Sequence, residues 1–544
     1  MIVEKLKEAI AKAAGINAAD VQLEHPTDLS HGDYSTSIAF RLAKERGKKA
    51  LELTLELIQE LQKGKLTEVA RIEAAGPGFI NFHLSRDFFA EYISKITKGG
   101  ETWGRNERLS GKRVMVEYTD PNPFKEFHIG HLMSNTIGEA ISRVIEFSGA
   151  EVHRANYQGD VGLHVAQAIL GKQQKPGLSW GEAYAYGATH YESNKHEIDA
   201  LNKALYERSD EKVNALYDSG RKTSLAGFET IYKMLGTKFD HYFFESEVAP
   251  IGRALVAEHK EIFDESDGAV IFRAEKFNPA LHTRVFVTSQ GIPTYEAKEL
   301  GLAPVKFEAW PHDRSVVITA AEITDYYRVV LEALQKIEPD LAKKITHVPH
   351  GFLRLPSGKM SSRTGDVITA VSLIEELTGK ALERMEHKDK KIAEQVAVAA
   401  IKYAVLKQAA GRDIIFDIEK SLSFEGDSGP YLQYAHARAR SVLEKAKRAD
   451  LAASIDMMPQ TVSALERMLY RFPEVVERAL EEYAPHHITT FLTEIAGAFN
   501  GWYANERIVD ESSEAPYRVA LTEAFATTME NGLWLLGIQA LPRM

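Results

Sequence analysis

The sequence predicts an α/β protein in which a domain with a parallel sheet lies between an N-terminal α+β region and a C-terminal all-helical region. Three observations support this fold class. A buried strand, a proline-rich turn, a helix and a second strand follow one another at 114–155. Two short strands separated by Gly-Pro-Gly lie within residues 1–108, and almost everything after residue 373 has the periodicity of amphipathic helices.

The N-terminal region has the pattern of a small separate unit. One predicted helix places Leu51, Leu55 and Ile58 on the same face. Gly76-Pro-Gly78 separates two predicted strands. The predicted helices and strands of this region are 3–14, 35–44, 51–62, 69–72 and 79–84.

The central region begins with Val114–Tyr118, a short apolar run typical of a buried strand. The turn 120–123 leads into a helix that Gly149 closes, and Val152–Ala155 is the next strand. Strand, helix and strand in this order form a βαβ unit, which implies a parallel sheet covered on both faces. The positions of the helix predicted to point inward are Leu132, Ile137, Ile141 and Val144.

The length predicts more than one hydrophobic core, because a chain of 60.7 kDa exceeds the size of a single domain. We expect domains at 1–108, 109–372 and 373–544. The segment from about residue 170 to residue 238 is polar and has a helical pattern, which indicates an insertion in the middle domain. Alternation of strands, loops and helices returns at about 284–366.

The composition excludes several kinds of chemistry. The chain has 544 residues, a formal net charge of −11 and no cysteine, so a disulfide scaffold, a thiol nucleophile, an iron–sulfur cluster and cysteine-bound zinc are excluded. We also predict no protein-bound metal, because the spacing of His190, His196 and His241 is irregular. Neither a signal peptide nor an apolar run of about 18 residues is present, so we expect a cytoplasmic protein with no membrane partner.

The strongest chemical signal is Pro121-Asn-Pro-Phe-Lys-Glu-Phe-His-Ile-Gly-His131, where a strand gives way to a helix. His128 and His131 are three residues apart and share one face of the first helical turn. A helix N-terminus offers free N–H groups and positive potential, which suit a phosphate, and Gly130 leaves room for a ligand beside the backbone. Alone, such a pair is more often a capping or packing pair than a catalytic one.

A second signal is Lys359-Met-Ser-Ser-Arg363, which lies between Gly358 and Gly365. A glycine-flanked loop with two cations and two hydroxyls can close over a polyphosphate and neutralise the charge of departing pyrophosphate. A single loop of this kind is more often a solvated surface loop. The order of the two signals along the chain is what makes their combination hard to obtain by chance.

Together, the two segments resemble the signatures of class I aminoacyl-tRNA synthetases. His128-Ile-Gly-His131 is similar to the HIGH signature, and Lys359-Met-Ser-Ser-Arg363 is similar to the KMSKS loop, with Ser362 in place of the second lysine. Further blocks are similar to those of arginyl-tRNA synthetases over nearly the full length. They are His31–Tyr34, Ala75–Phe79, Arg154–Asn156, Gly159-Asp160, Ser423–Gly426, Gly429–Arg438, Asn531–Leu533 and Leu536-Gly537.

The resemblance implies a Rossmann-like catalytic domain, an N-terminal additional tRNA-contact domain and a C-terminal helical stem with an anticodon-binding bundle. The implied reaction joins arginine to the 2′-hydroxyl of the terminal adenosine of tRNA(Arg) through arginyl-adenylate and releases pyrophosphate and AMP. ATP with Mg²⁺ is a substrate, no tightly bound cofactor is expected, and the chain is expected to be a monomer.

The resemblance also assigns residues to ATP. His128, His131 and Lys359 are expected to stabilise the transition state, and Lys125 is a candidate to replace the charge that Ser362 removes. Gly130 is expected to lie under the adenosine. The complete set implied for ATP binding is Pro121, Phe127, His128, Ile129, Gly130, His131, Lys359, Met360 and Ser361.

Arginine recognition should need carboxylates, because a guanidinium is planar, always charged and best held by two parallel hydrogen bonds. By resemblance, Tyr295 and Glu299 share one face at the start of a helix, with glutamate replacing the family's aspartate. Glu117 is an unusual residue for a buried strand, whereas Glu299 alone has the pattern of a surface helix residue. The set implied for arginine is Glu117, Asn122, His131, Tyr295, Glu299 and Glu322.

For tRNA, the informative segment is 431–448, where aromatic and basic residues follow helical spacing. Such residues suit splayed-out bases and phosphates, although an ordinary amphipathic helix has the same pattern. Trp502 is either a core residue or a base-stacking one. The residues assigned to tRNA are Tyr431, Gln433, Tyr434, Arg438 and Trp502.

Two other functions fit part of the pattern. Another class I synthetase or a small nucleotidyltransferase would share the histidine turn, but the nucleotidyltransferase would not need the C-terminal helices. A catalytically silent tRNA-binding paralogue would not need His128, His131 and Lys359. Charging of tRNA with each amino acid in turn separates all of these alternatives.

We predict that tRNA binding depends steeply on salt despite the net charge of −11. Positive potential must be concentrated on one face, and each phosphate that it neutralises releases counterions. The measurement is the tRNA dissociation constant between about 50 and 200 mM salt. An affinity that does not change over this range would contradict the prediction.

Overall fold

The structure is a computed structural model that describes residues 1–354 and 368–544. The predicted loop 359–363 lies outside the described residues. The chain divides into two compact units, and in the described residues no helix is long and apolar enough to cross a membrane. The first unit contains Met1–Trp103, Arg438–Phe472 and Ile495–Thr528, and the second contains Gly104–Ala437, Pro473–Glu494 and Met529–Met544.

The N-terminal part of the first unit is an α+β structure with an antiparallel sheet of order β1-β3-β2. Leu6, Ile10, Leu57, Phe82 and Phe88 lie in its core. Its helices and strands are α1 (Ile2–Ala14), β1 (Tyr34–Thr36), α2 (Ile38–Arg46), α3 (Ala50–Lys63), β2 (Val69–Ala75), β3 (Phe79–Leu84) and α4 (Arg86–Gly99).

Two details of the prediction for this region are wrong. The helix predicted at 35–44 begins only at Ile38, because Tyr34–Thr36 pairs with β3 as a strand. Helix α3 does not bury Leu51 and Leu55, which are 47% and 50% exposed. It buries instead a stripe of residues four apart, Leu53, Leu57 and Leu61. In this leucine-rich segment two stripes fit the helical period, so periodicity alone could not select the buried one.

The second unit is built on a five-stranded sheet of order β11-β10-β4-β5-β6, in which all neighbours are parallel. The predicted βαβ unit is therefore confirmed. The elements are β4 (Arg113–Glu117), α5 (Ile129–Phe147), β5 (Glu151–Gln158), α6 (Leu163–Gln174), α7 (Trp180–Thr189), α8 (Tyr191–Glu207), α9 (Glu211–Leu235), β6 (His241–Phe244), α10 (Glu245–Glu258), β7 (Asp264–Ser266), β8 (Ala269–Arg273), β9 (Thr283–Val287), α11 (Tyr295–Ala309), β10 (Arg314–Ala320), α12 (Thr324–Ile337), α13 (Pro339–Ala342), β11 (Ile345–His350) and β12 (Leu353–Arg354).

Helices dominate the chain from residue 370 onward, as predicted. The exception is a two-residue strand, β13 (Ile414–Ile415), which pairs with β12. The helices are α14 (Ala370–Arg384), α15 (Lys390–Leu406), α16 (Ile418–Ser421), α17 (Gly429–Arg448), α18 (Ala464–Leu469), α19 (Phe472–Glu481), α20 (His486–Asn505) and α21 (Ala515–Leu535).

Helix α5 is fixed to its surroundings by a buried carboxylate. Glu139 accepts hydrogen bonds from Tyr118 Oη (2.6 Å), Arg143 Nε (2.7 Å) and Arg154 Nε (3.0 Å). Burial alone would raise the pKa of Glu139, but the two arginines outweigh burial and lower that pKa. Arg143 also donates to the carbonyl of Trp534 (2.9 Å), so the network ties α5 to the chain's C-terminal segment.

Helices α10 and α11 touch through their backbones. A Cβ added at Gly252 would lie 1.8 Å from the carbonyl oxygen of Ala297, and one at Gly301 would lie 2.5 Å from the amide nitrogen of Gly252. Neither backbone can move aside as a flexible side chain would. The two glycines therefore set how closely α11 approaches α10.

We predict that Gly301→Ala lowers the free energy of unfolding by about 1–3 kcal/mol, because overpacking forces the helices apart. Gly227→Ala is the matched control, since Gly227 lies within α9 and a Cβ there would have no neighbour within 4 Å. That control should be neutral or stabilise by up to about 1 kcal/mol. Denaturant unfolding of both variants is the measurement, and equal stabilities would contradict the account.

Candidate active site

A cavity of about 600 Å³ lies at the carboxyl edge of the parallel sheet. The last residue of β4, Glu117, and the end of β10, Ile318–Ala320, both line it. Helix α5 points its N-terminus into the cavity through His128 and His131. Ligands of open α/β sheets bind at this edge, where loops and helix N-termini meet.

The structure brings most of the predicted substrate residues to this one cavity. The predicted residues that line it are Glu117, Asn122, His128, Ile129, Gly130, His131, Tyr295, Glu299 and Glu322. Pro121 and Phe127 are buried and are not among the lining residues. Lys359, Met360 and Ser361 lie outside the described residues, so their expected roles stay predictions.

The histidine pair is both a helix cap and a cavity wall. His128 Nδ1 accepts a hydrogen bond from the Gly130 amide (3.0 Å), and His131 Nδ1 accepts one from the His128 amide (3.3 Å). The two rings stack with centroids 3.8 Å apart. Because both Nδ1 atoms accept, each neutral ring carries its proton on Nε2, where it can donate to a phosphate oxygen.

Glycine at position 130 is required by this arrangement. A Cβ there would come within 2.9 Å of the His128 ring, which could not then accept from the Gly130 amide in the same position. The predicted role of Gly130 concerned space for a ligand. The structure adds a second reason, which is space for the histidine ring itself.

Both histidines have pKa values below the ordinary value for histidine. Burial, assisted by the neighbouring Lys125, lowers the pKa of His128 to about 4. Burial, His128 and Lys125 together lower the pKa of His131 well below its usual range. Both rings are therefore neutral hydrogen-bond donors at pH 7.

Two buried ion pairs hold carboxylates that line the cavity, Glu117 and Glu245. Lys306 Nζ lies 2.6 Å from Glu117 Oε2, and Lys298 Nζ lies 2.6 Å from Glu245 Oε2. All four side chains are almost completely buried, and both lysines belong to α11. A buried carboxylate needs such a partner, since an unpaired one costs several kcal/mol.

Two further carboxylates of the cavity lack a cation of this kind. Asp120 and Glu299 line the cavity, and neither makes an ion pair among the residues that the structure describes. Burial raises the pKa of both carboxyl groups well above its usual value, and the charge of Glu117 raises each further.

Several residues of this cavity and of the two ion pairs beside it were missed by the sequence reasoning. Tyr157 and Glu245 are distant in sequence from the histidine turn, and Lys298 and Lys306 have the pattern of ordinary helix residues. Asp120 lies in the proline-rich turn itself. Its only sequence signal was its position directly before Pro121, which did not distinguish it from a turn residue.

Lys125 lies beside the cavity rather than on its wall. Its Nζ is 4.8 Å from the centroid of the Tyr184 ring, a cation–π contact with the helical segment α7. Burial lowers the pKa of Lys125, and Glu245 opposes that change. The lysine therefore contributes positive potential close to the histidine pair.

The residues assigned to tRNA differ in their exposure. Gln433 is fully buried and donates to the Gln539 carbonyl (2.9 Å), so its side chain does not reach the surface. Tyr434 is 37% exposed, and Tyr431 is partly buried. In the first unit, Arg438 hydrogen-bonds Asn500, and Trp502 packs at the edge of an apolar cluster, which agrees with a core role.

The histidines considered for metal binding do not come together. His190 hydrogen-bonds the carbonyl of Tyr186 (2.8 Å), and His241 contacts His153 (2.8 Å). Across 1–354 and 368–544, no group of three or more histidine and carboxylate side chains has the arrangement of a metal site.

We predict that His128 titrates near pH 4 in the folded protein without substrates. With that midpoint only about 1% of its rings are protonated at pH 6. NMR of protein with labelled histidine, in which His128→Gln identifies the signal, is the measurement. A midpoint near 6.5, the value for an exposed histidine, would contradict the burial of this ring.

Comparisons with known proteins agree along the whole chain. A family model described as tRNA synthetases class I (R), catalytic domain, matches residues 96–418. The model of the arginyl tRNA synthetase N terminal domain matches 1–84, and that of the DALR anticodon binding domain matches 432–544. These matches confirm the predicted fold class.

Individual relatives cover nearly the full length. An arginine–tRNA ligase of Clostridium perfringens is 28% identical over 576 residues, which are 100% of this chain and 99% of the relative. One of Treponema pallidum is 29% identical over 568 residues, covering 97% and 96%. The solved arginyl-tRNA synthetase of Thermus thermophilus matches with a TM-score of 0.81 at 25% identity and covers 100% of both chains. The chain therefore belongs to the arginyl-tRNA synthetases, the arginine–tRNA ligases of class I.

Proposed function

We propose that the chain activates arginine with MgATP and transfers it to the terminal adenosine of tRNA(Arg), with the cavity at the sheet edge as the place of both steps. One observation carries this proposal. One part of the cavity wall is the N-terminus of α5, which two neutral histidines cap, and the other part is a group of carboxylates. The first part suits the phosphates of ATP, and the second suits the cations of arginine.

In the first step, the arginine carboxylate attacks the α-phosphate of ATP, and pyrophosphate leaves. We assign the Nε2–H groups of His128 and His131 to the phosphate oxygens, where they stabilise the charge that develops. Gly130 and Ile129 lie at the adenosine, and buried Pro121 and Phe127 support the turn from behind. The Mg²⁺ ion enters with ATP as part of the substrate. Three loop residues are assigned to the departing pyrophosphate, namely Lys359, Met360 and Ser361.

For arginine, we assign the guanidinium group to the carboxylates of Glu117 and Glu299, next to the Tyr295 side chain. Asn122 and His131 are assigned to the α-amino and carboxylate groups, near the histidine turn. Glu322 lies on an exposed turn at the cavity mouth, between β10 and α12, and supplies a further polar contact. The buried pair of Lys306 with Glu117 fixes the orientation of that carboxylate.

For tRNA, we propose that 1–108 is an additional contact domain, 109–372 the catalytic domain and 373–544 the stem and anticodon-binding domain. Tyr431 and Tyr434 in the second unit and Arg438 in the first unit are each proposed to contact RNA. Gln433 is assigned a supporting role, because its side chain is buried, and Trp502 helps to hold the helices of the first unit together. A monomer in the cytoplasm is the expected working form.

The function is tested by charging tRNA(Arg) transcripts with each of the standard amino acids in the presence of MgATP. We expect charging with arginine alone. Charging with another amino acid would indicate a different class I synthetase. Binding of tRNA with no charging at all would indicate a silent paralogue, and either result would reject the proposed function.

We predict that Lys125→Ala lowers the rate of arginine activation by at least about 100-fold, because Lys125 supplies positive charge that Ser362 does not. Lys175→Ala is the matched control. Lys175 also lies 4.8 Å from a tyrosine ring, that of Tyr186, but outside the cavity. Pre-steady-state adenylate formation is the measurement. A Lys125 variant with near-normal turnover would contradict the compensating role.

A further inference from the structure

The cavity contains more carboxyl groups than the described lysines and arginines around it pair with. Glu117 and Glu245 are each paired with a buried lysine of α11. Arg354, at the cavity mouth, is paired with Asp413 (2.8 Å). Asp120, Glu299 and Glu322 are left without an ion pair among the described residues, and Glu322 differs from the other two because it is exposed to solvent.

Asp120 is held in place by a backbone conformation that few residues adopt. Thr119 and Asp120 have φ values of +80° and +45°, in the left-handed region that costs about 1–3 kcal/mol for a residue with a side chain. The Ser134 Oγ accepts from the Thr119 amide (2.9 Å), and Asp120 Oδ1 accepts from the Tyr157 amide (2.8 Å). The second bond anchors Asp120 Oδ1 to β5, and Asp120 itself lines the cavity.

We propose that Asp120 is a specificity-determining residue of the arginine site, where its carboxylate and that of Glu299 bind the substrate's guanidinium group and supply the charge that no described protein cation balances. The inference rests on the proposed function and extends it by one residue. A guanidinium presents donors on more than one edge, so it can hydrogen-bond two carboxylates at once. A neutral side chain of the same shape, such as that of citrulline, leaves both carboxylates without a cation.

Binding of arginine is then linked to the release of protons. Burial and Glu117 raise the pKa of both carboxyl groups, so the protonated form of each is favoured more than in a solvent-exposed carboxyl group when no cation is bound. A bound guanidinium favours the ionised form, and the KM for arginine falls as the pH rises toward the pKa, by up to about tenfold per pH unit for each proton released. The charged or titratable side chains around the two carboxylates are Glu117, Lys125, His128, His131, Tyr157, Tyr232, Glu245, Tyr295, Glu296, Lys298, Lys306, Glu322, Tyr326, Tyr327, His350 and Arg354.

The test is Asp120→Asn in steady-state aminoacylation with tRNA(Arg) and saturating MgATP. Asparagine tolerates left-handed backbone and its amide oxygen still accepts from Tyr157, so a purely structural role predicts no change. The charge role predicts that the KM for arginine rises by about 10- to 100-fold, while the KM for ATP stays within about threefold. The ratio of the citrulline inhibition constant to the KM for arginine should shrink by a similar factor, and the pH dependence of that KM should flatten.

Asp313→Asn is the matched control. Asp313 Oδ2 accepts from the Arg113 amide (2.9 Å) at the opposite edge of the same sheet, so this variant removes a similar carboxylate far from the cavity. It should leave every kinetic constant unchanged. An unchanged KM for arginine in Asp120→Asn would overturn the inference. Failure of the wild type to charge arginine would instead reject the proposed function.

Discussion

The placement of negative charge at the carboxyl edge of the sheet is the constraint on which the site depends. Each buried carboxylate costs several kcal/mol unless a cation or a proton accompanies it. The chain meets this cost for Glu117 and Glu245 with two lysines from one helix, α11. The position of α11 is in turn set by the backbone contact of Gly301 with Gly252 on α10. Helix packing therefore determines which carboxylates of the cavity have a lysine partner and which have none among the described residues.

The histidine pair of the cavity shows how a structural role and a chemical role coincide. A histidine pair at a helix start is often only a cap, and here the two rings do cap α5. The capping bonds occupy both Nδ1 atoms, and burial keeps the rings neutral. The same bonds thus fix the tautomer that leaves the Nε2–H groups as donors. The capping interpretation and the catalytic one describe the same geometry.

The sequence predicted those parts of the structure that depend on local patterns. The βαβ unit, the inward face of α5 and the helical C-terminal third follow from periodicity and turn residues. The candidate substrate residues came from short motifs and a family resemblance. The sequence did not predict the buried face of α3, because its alternating leucines fit two stripes. It also missed Lys298, Lys306 and Asp120. Their importance depends on contacts between residues far apart in the chain, such as the pair of Lys306 with Glu117, and on left-handed backbone at Asp120 that no local pattern indicated.

The most direct test of this account is a crystal structure of the protein bound to a non-hydrolysable analogue of arginyl-adenylate. The account predicts that the guanidinium lies among Glu117, Asp120 and Glu299, with the adenosine over Gly130 and the phosphate mimic within hydrogen-bonding distance of the histidine Nε2 atoms. A guanidinium that points to solvent, or that lies away from these carboxylates with the adenosine elsewhere, would contradict it.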